Sequence, residues 1–153
     1  MAYDCEVKEL PVQPALSMRL RTPVERLPQE LGQAFGVVFS YMQELGEYPA
    51  GPPFVVYYNA DMQDLDVEGG FPTTKPLPGK GVVESSQAPA GKVASCLHTG
   101  PYSDLEPAYT ALMSWMAENG YEGTGVGYEV YLNDPDVTPP EALLTQVMFA
   151  LKS

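Results

Sequence analysis

One carboxylate interrupts an aromatic and β-branched run, Gly127-Tyr128-Glu129-Val130-Tyr131-Leu132, which stops at Asn133-Asp134-Pro135. Alternation at period two puts Glu129 and Tyr131 on one face of a strand and Tyr128, Val130 and Leu132 on the other. If the second face packs under helices, Glu129 opens across the sheet beside an aromatic ring. A carboxylate next to a ring suits a cationic, apolar ligand, because the ring face and the negative charge both attract a positive centre. The competing reading is a solvated glutamate on the exposed face of an antiparallel sheet.

Other chemistry finds little material. His98 is the only histidine, so neither a three-histidine metal site nor a histidine-rich triad can be assembled, and no serine stands in an elbow motif. Cys5 and Cys96 are far apart in sequence and form no CxxC pair, which favours two reduced thiols in a cytoplasmic protein unless adjacent strands bring them together. No metal or other cofactor is expected. Twenty Asp+Glu against eight Lys+Arg give a net charge of -12, a field that repels nucleic acid and anionic membranes and attracts cations. Direct DNA binding is not expected. No secretory leader is expected, and no apolar run in the sequence reaches transmembrane length.

Positioning Glu129 requires a fold, and 153 residues suffice for one domain, 1–153, with a substantial core. Asp4–Leu10 and Pro14–Arg21 are strand-like runs whose Pro11-Val12-Gln13-Pro14 link fits a hairpin or bulged turn. A helix from about Pro28 carries Leu31, Ala34, Phe35, Val38, Met42 and Leu45 on one stripe and ends at Gly46. Strands follow at Phe54–Asn59 and around Leu65 and Val67. The Gly- and Pro-rich stretch 68–92 is a seam with one strand near 82–87, and another strand runs from Lys92 to His98. A second helix, capped by Ser103 or Asp104 and tolerating Pro107 in its first turn, buries Leu105, Ala108, Tyr109, Leu112, Trp115 and Met116 and ends at Gly120. The Glu129 strand and a last strand, Leu143–Leu151, complete the chain.

The halves repeat. Ser17, Pro23 and Leu27 align with Ser95, Pro101 and Leu105 at an offset of 78; after the helices Gly46, Phe54 and Asn59 align with Gly120, Tyr128 and Asn133 at 74. Each half reads strand, helix, strand, strand over about 15–68 and 93–150. Two such units predict an α+β fold with pseudo-two-fold symmetry, an antiparallel sheet, two long helices on one side and a central cleft. Glu129 stands where the first half has Val55, so an ionisable residue at this position is not a requirement of the fold. By the same alternation the cleft should hold Glu129 and Tyr131, Val55 and Tyr57 from the repeat partner, and Gln146 and Met148 from the last strand, with Tyr102 capping one end.

Ala88-Pro89-Ala90-Gly91, His98-Thr99-Gly100-Pro101-Tyr102, the Tyr109–Gly120 helix and Tyr128–Pro135 together resemble the gyrase-inhibitor-like small-molecule-binding family, which includes effector-binding domains of multidrug-responsive and AraC-type bacterial transcription regulators. The resemblance covers nearly the whole chain and is weakest from Met62 to Gly81. It implies the duplicated fold and a lipophilic, cationic or aromatic small-molecule ligand contacted by a glutamate at the place of Glu129. Several relatives carry a further acid on the last strand where Gln146 stands. With all 153 residues taken up by the ligand-binding unit, a stand-alone receptor without its own DNA-reading element is expected. Some relatives resemble hydrolases of electrophilic cyclopropane genotoxins, which would make Glu129 and Tyr131 or Tyr102 the catalytic pair; others inhibit a gyrase-like protein partner. Binding ranks first, hydrolysis second, protein inhibition third.

Overall fold

The two apolar helical stripes need a sheet to cover, and the strands supply one. In a computed structural model that describes residues 3–152, the strands are β1 (Cys5–Leu10), β2 (Pro14–Thr22), β3 (Phe54–Tyr57), β4 (Leu65–Pro72), β5 (Val83–Gln87), β6 (Gly91–Thr99), β7 (Gly123–Tyr131) and β8 (Leu144–Leu151). The helices are α1 (Leu27–Glu44) and α2 (Glu106–Glu118). All eight strands join one antiparallel sheet in the order β1-β6-β8-β7-β3-β4-β2-β5.

Both helices lie on the same face of this sheet, each over its own half. Val38 and Met42 of α1 pack on Leu16 and Val83, and Leu31 packs on Val55, Leu65 and Val67. Ala108, Leu112 and Met116 of α2 pack on Ala94, Cys96 and Val147. Burying such a side chain is worth about 1.5–3 kcal/mol, so each helix is held by its stripe. Among the described residues the opposite face carries no helix; there Ala15, Phe54 and Val56 are buried among Tyr58, Val126, Tyr128 and Val130.

The first two strands do not form a hairpin. β1 pairs with β6 at one edge, Cys5 opposite Cys96, while β2 pairs with β4 and β5 at the other side. Packing explains the separation: Cys5 and Val7 join the cluster under α2, whereas Leu16 lies under α1. The link is also committed away from β1, because the carbonyls of Gln13 and Pro14 accept the N–H groups of Ala88 (3.0 Å) and Thr73 (2.8 Å). The duplication is therefore longer than the sequence pattern suggested. Cys5 faces Cys96 as Val83 faces Met18, again 78 residues on, so each half contributes a leading strand that completes the other half's sheet.

The helix ends follow backbone chemistry. Proline occupies the first turn of both helices, where its missing N–H costs nothing. The start of α2 differs from expectation: a 3-10 turn, Tyr102–Asp104, leads in, and neither Ser103 nor Asp104 caps the helix by its side chain. Both helices finish on a left-handed glycine, Gly46 (φ 72°) and Gly120 (φ 75°). The N–H of the following residue reaches back into the last turn, Glu47 to Met42 O and Tyr121 to Met116 O, each at 2.9 Å. Alanine at either glycine should cost about 1–2 kcal/mol. Urea unfolding of Gly46→Ala, Gly120→Ala and the double variant should show both losses and their near-additivity, since the sites share no contacts.

Candidate functional site

The seam between the halves is the β3–β7 pair, where Val55 stands opposite Glu129. Alternation and this register put Val55, Tyr57, Glu129 and Tyr131 on one face, and it is the helix-bearing face; Tyr128 and Val130 join the cluster on the other. The expected arrangement, with helices over Tyr128 and Val130 and Glu129 open on the far side, is reversed. The bulky Tyr128 and Val130 find their partners in Phe54 and Val56, and Glu129 is left in the trough between α1 and α2.

Glu129 is only 5% exposed. Its Oε1 accepts the hydroxyls of Tyr131 (2.6 Å) and Tyr57 (3.2 Å), and its Oε2 accepts the hydroxyl of Tyr109. The three phenols come from β7, β3 and α2, so the carboxylate ties both halves of the sheet to a helix. Burial pushes the phenols of Tyr57, Tyr109 and Tyr131 far above the usual tyrosine range, and the Glu129 charge pushes them further. Each hydroxyl therefore remains a donor. The phenol oxygen of Tyr131 is deeply buried although part of its ring faces open space.

That space is a cavity of about 890 Å³, within the range for small-molecule sites, of about 300–1,000 Å³. Leu27, Leu31 and Phe35 of α1 and Phe71 of β4 form an apolar wall; Glu129, Tyr57 and Tyr131 form the floor; Tyr102 and residues 132–136 form the rim. Tyr102 meets Tyr131 edge-on at 5.3 Å between ring centres, and Phe35 meets it at 6.4 Å, so aromatic rings surround the carboxylate. The rim loop is pinned by Asn133, whose Oδ1 accepts Leu144 N–H and whose Nδ2 donates to Ala142 O, both at 3.0 Å.

Of the residues singled out by sequence, Glu129, Tyr131, Tyr57 and Tyr102 line this cavity. Val55 is fully buried beneath Leu31 and does not line it. Gln146 and Met148 lie on the opposite face, because β8 sets Val147 opposite Glu129 and Gln146 opposite Val130; Gln146 Nε2 donates to Ser95 Oγ at 2.6 Å. A second acid on the last strand at this position would not reach Glu129's side of the sheet. By periodicity Tyr109 belongs to the apolar stripe of α2, and its hydroxyl gives no signal in the sequence. Trp115 stacks on Tyr121 away from the cavity. His98 is buried, its Nδ1 3.1 Å from the Tyr3 hydroxyl and its Nε2 3.3 Å from Pro101 O, in the role of a structural residue. Cys5 and Cys96 are free thiols on facing positions. Among the described residues no group of three acids, cysteines or histidines is arranged to hold a metal ion.

A duplicated α+β sheet with an aromatic, carboxylate-bottomed cavity between its helices defines a small-molecule-binding domain. The chain belongs to the GyrI-like family: the model of the GyrI-like small molecule binding domain matches residues 3–152. No curated protein matches the sequence. Among solved structures, the C-terminal domain of EcmrR is similar at 23% identity and TM-score 0.80, with 100% of this chain and 99% of that one covered. In the complex of EcmrR with DNA the TM-score is 0.88, and this chain spans 59% of the EcmrR chain. A hydrolase from Listeria innocua is similar at 14% identity and TM-score 0.68, over 99% of this chain and 93% of that one. SAV2435 bound to tetraphenylphosphonium is similar at 7% identity and TM-score 0.63, over 100% and 95%. At these identities the likeness is one of fold.

The phenols give the site a pH signature. Their folded pKa values lie above the unfolded value of about 10, so the native state keeps protons that the unfolded chain releases. The associated stability is fully present below pH 10 and is lost as pH rises beyond it. Three phenols would remove up to about 4 kcal/mol per pH unit, at about 1.4 kcal/mol each. Urea unfolding between pH 9 and 11.5 should show this fall, and Tyr109→Phe should make it shallower by about one proton.

Proposed function

We propose that this chain is a receptor for lipophilic, cationic aromatic small molecules, acting as one GyrI-like effector-binding unit over residues 1–153. The observation that carries the reading is a single carboxylate, Glu129, at the floor of an apolar cavity and ringed by tyrosines. A carboxylate has about four acceptor positions, and three phenols take three of them. Recognition of a cation there rests on charge and ring faces more than on new hydrogen bonds. That favours a cation without N–H donors, such as a phosphonium or quaternary ammonium, with about 0.5–2 kcal/mol from each good ring contact. The tetraphenylphosphonium bound to SAV2435 is such a cation and supports the class.

A regulatory setting fits the similarity to EcmrR, with this unit supplying the sensing part. Its acidic balance argues against direct contact with nucleic acid. A cytoplasmic setting belongs to the same reading, supported by two facing cysteines left as free thiols; among the described residues no helix is long and apolar enough to cross a membrane. Glu129→Gln keeps the shape and removes the charge. By isothermal titration it should weaken tetraphenylphosphonium at least about tenfold, and the neutral triphenylphosphine oxide much less. Equal losses, or none, would reduce Glu129 to a structural residue.

The Listeria hydrolase motivates a second reading, in which Glu129 acts as a general base on an electrophilic cyclopropane and a cavity tyrosine orients it. General base catalysis contributes roughly a hundredfold or more. Under the receptor reading, mass spectrometry after incubation should return such a compound unchanged. A hydrolysed product that disappears with Glu129→Gln would instead establish the enzyme.

A further inference from the structure

The only two cysteines of the chain, far apart in sequence, meet at the outer edge of the sheet, where Cys5 of β1 is the direct cross-strand partner of Cys96 of β6. Both side chains join the cluster under α2, so they point to the same side of the pair. Directly opposed residues on one face of an antiparallel pair hold their Cβ atoms about 4.5–5.5 Å apart, against about 3.5–4.5 Å in a disulfide. A small adjustment of an edge strand closes that gap.

The repeat shows that the fold does not need sulfur here. In the first half the equivalent pair is Met18 and Val83, which fills the same place under α1 with ordinary apolar contacts. Neither thiol lines the cavity between the helices. Their hydrogen bonds are long, Cys5 Sγ donating to Tyr3 O at 3.8 Å and Cys96 Sγ to Ala108 O at 3.7 Å. Burial raises the Cys5 thiol and pushes that of Cys96 up to about 12, and after burial the next influence on each is the other thiol. The two differ in access. Cys5 is half-buried on a strand whose outer edge has no partner among the described residues, whereas Cys96 is only 2% exposed beneath α2. That asymmetry suits an attacking thiol reached from solvent and a shielded thiol that resolves the intermediate.

We propose that Cys5 and Cys96 are a reversible redox pair, which closes to an intramolecular disulfide by exchange with small-molecule disulfides such as oxidised glutathione. The Cys5 thiolate attacks one sulfur of the reagent, forming a mixed disulfide and releasing one reduced thiol. Cys96, losing its proton to solvent, then attacks the Cys5 sulfur and releases the second. Two protein thiols and one reagent disulfide thus become one protein disulfide and two reagent thiols. Closure fastens β1, otherwise held to the sheet on one side only, covalently to β6. Thiolate is scarce at neutral pH when burial opposes ionisation, so the pair answers sustained oxidation and not a brief pulse. The proposal is independent of what the cavity binds.

The full-length protein, equilibrated without denaturant in oxidised or in reduced glutathione and then alkylated, tests it by peptide mapping and thermal unfolding. In oxidised glutathione a linked pair of peptides carrying Cys5 and Cys96 should appear, with the intact chain lighter by two hydrogens. The thermal midpoint should rise by at least about 5 °C, because the bond closes a long loop in the unfolded chain. Excess reduced glutathione should reverse both changes. Cys5→Ser, at the more accessible position, and Cys96→Ala should each abolish the linked pair and the shift. A mixed disulfide that persists on Cys5, disulfide-linked dimers, or two free thiols at equilibrium would each overturn the redox pair. An unmoved midpoint in the closed form, or a shift that survives in Cys5→Ser, would overturn the fastening of β1.

Discussion

The contact on which the site depends is one buried carboxylate shared by three phenol hydroxyls. Removing a carboxylate from water costs several kcal/mol unless donors replace the lost hydration. Here the donors arrive from β3, β7 and α2, and each is itself kept protonated by burial and by the charge it serves. This geometry requires the two half-sheets to meet in one register, Val55 against Glu129, and requires α2 to present Tyr109 from an otherwise apolar face. The same separation of α1 from α2 that admits these rings leaves the cavity above them.

Duplication shows which parts of this serve the fold and which do not. Val55, the counterpart of Glu129, is fully buried among Leu31, Leu65 and Val67, as a position under a helix should be. The opposite face carries a complementary departure from symmetry. In the first half Glu68 accepts the hydroxyls of Ser17 and Tyr58; in the second, Gln146 donates to Ser95, at positions related by the same offset of 78. Each half thus has a carboxylate bonded to tyrosine, half-buried Glu68 in the first and buried Glu129 in the second, on opposite faces of the sheet, and the one at the central seam opens onto the cavity.

Local periodicity made much of this legible. The helix stripes, the turn after β7, the strand β5 within the 68–92 seam and the pairing of Glu129 with Tyr131 and Tyr57 all follow from spacings within a few residues or from the repeat, whereas β4 prolongs into the seam as far as Pro72. What depends on long-range pairing did not. The leading strand β1 crosses to β6 because its apolar residues fit under α2, which nothing in Pro11–Pro14 announces. Alternation alone puts Gln146 and Met148 on the face of Glu129, and the register of β8 against β7 puts them on the other, because a shift of one residue in strand pairing inverts every side chain. Tyr109 looks like any aromatic in a helical stripe until its hydroxyl meets Glu129. The α1 wall and the acidic rim belong to the cavity only through tertiary packing.

A crystal structure of the complex with tetraphenylphosphonium tests the central claim most directly. The phosphorus is expected between the helices, within about 6 Å of the Tyr131 ring centre, with the Glu129–tyrosine contacts retained beneath it. Ligand bound instead on the face of Gln146 and Met148, or an empty cavity at saturating ligand, would contradict it.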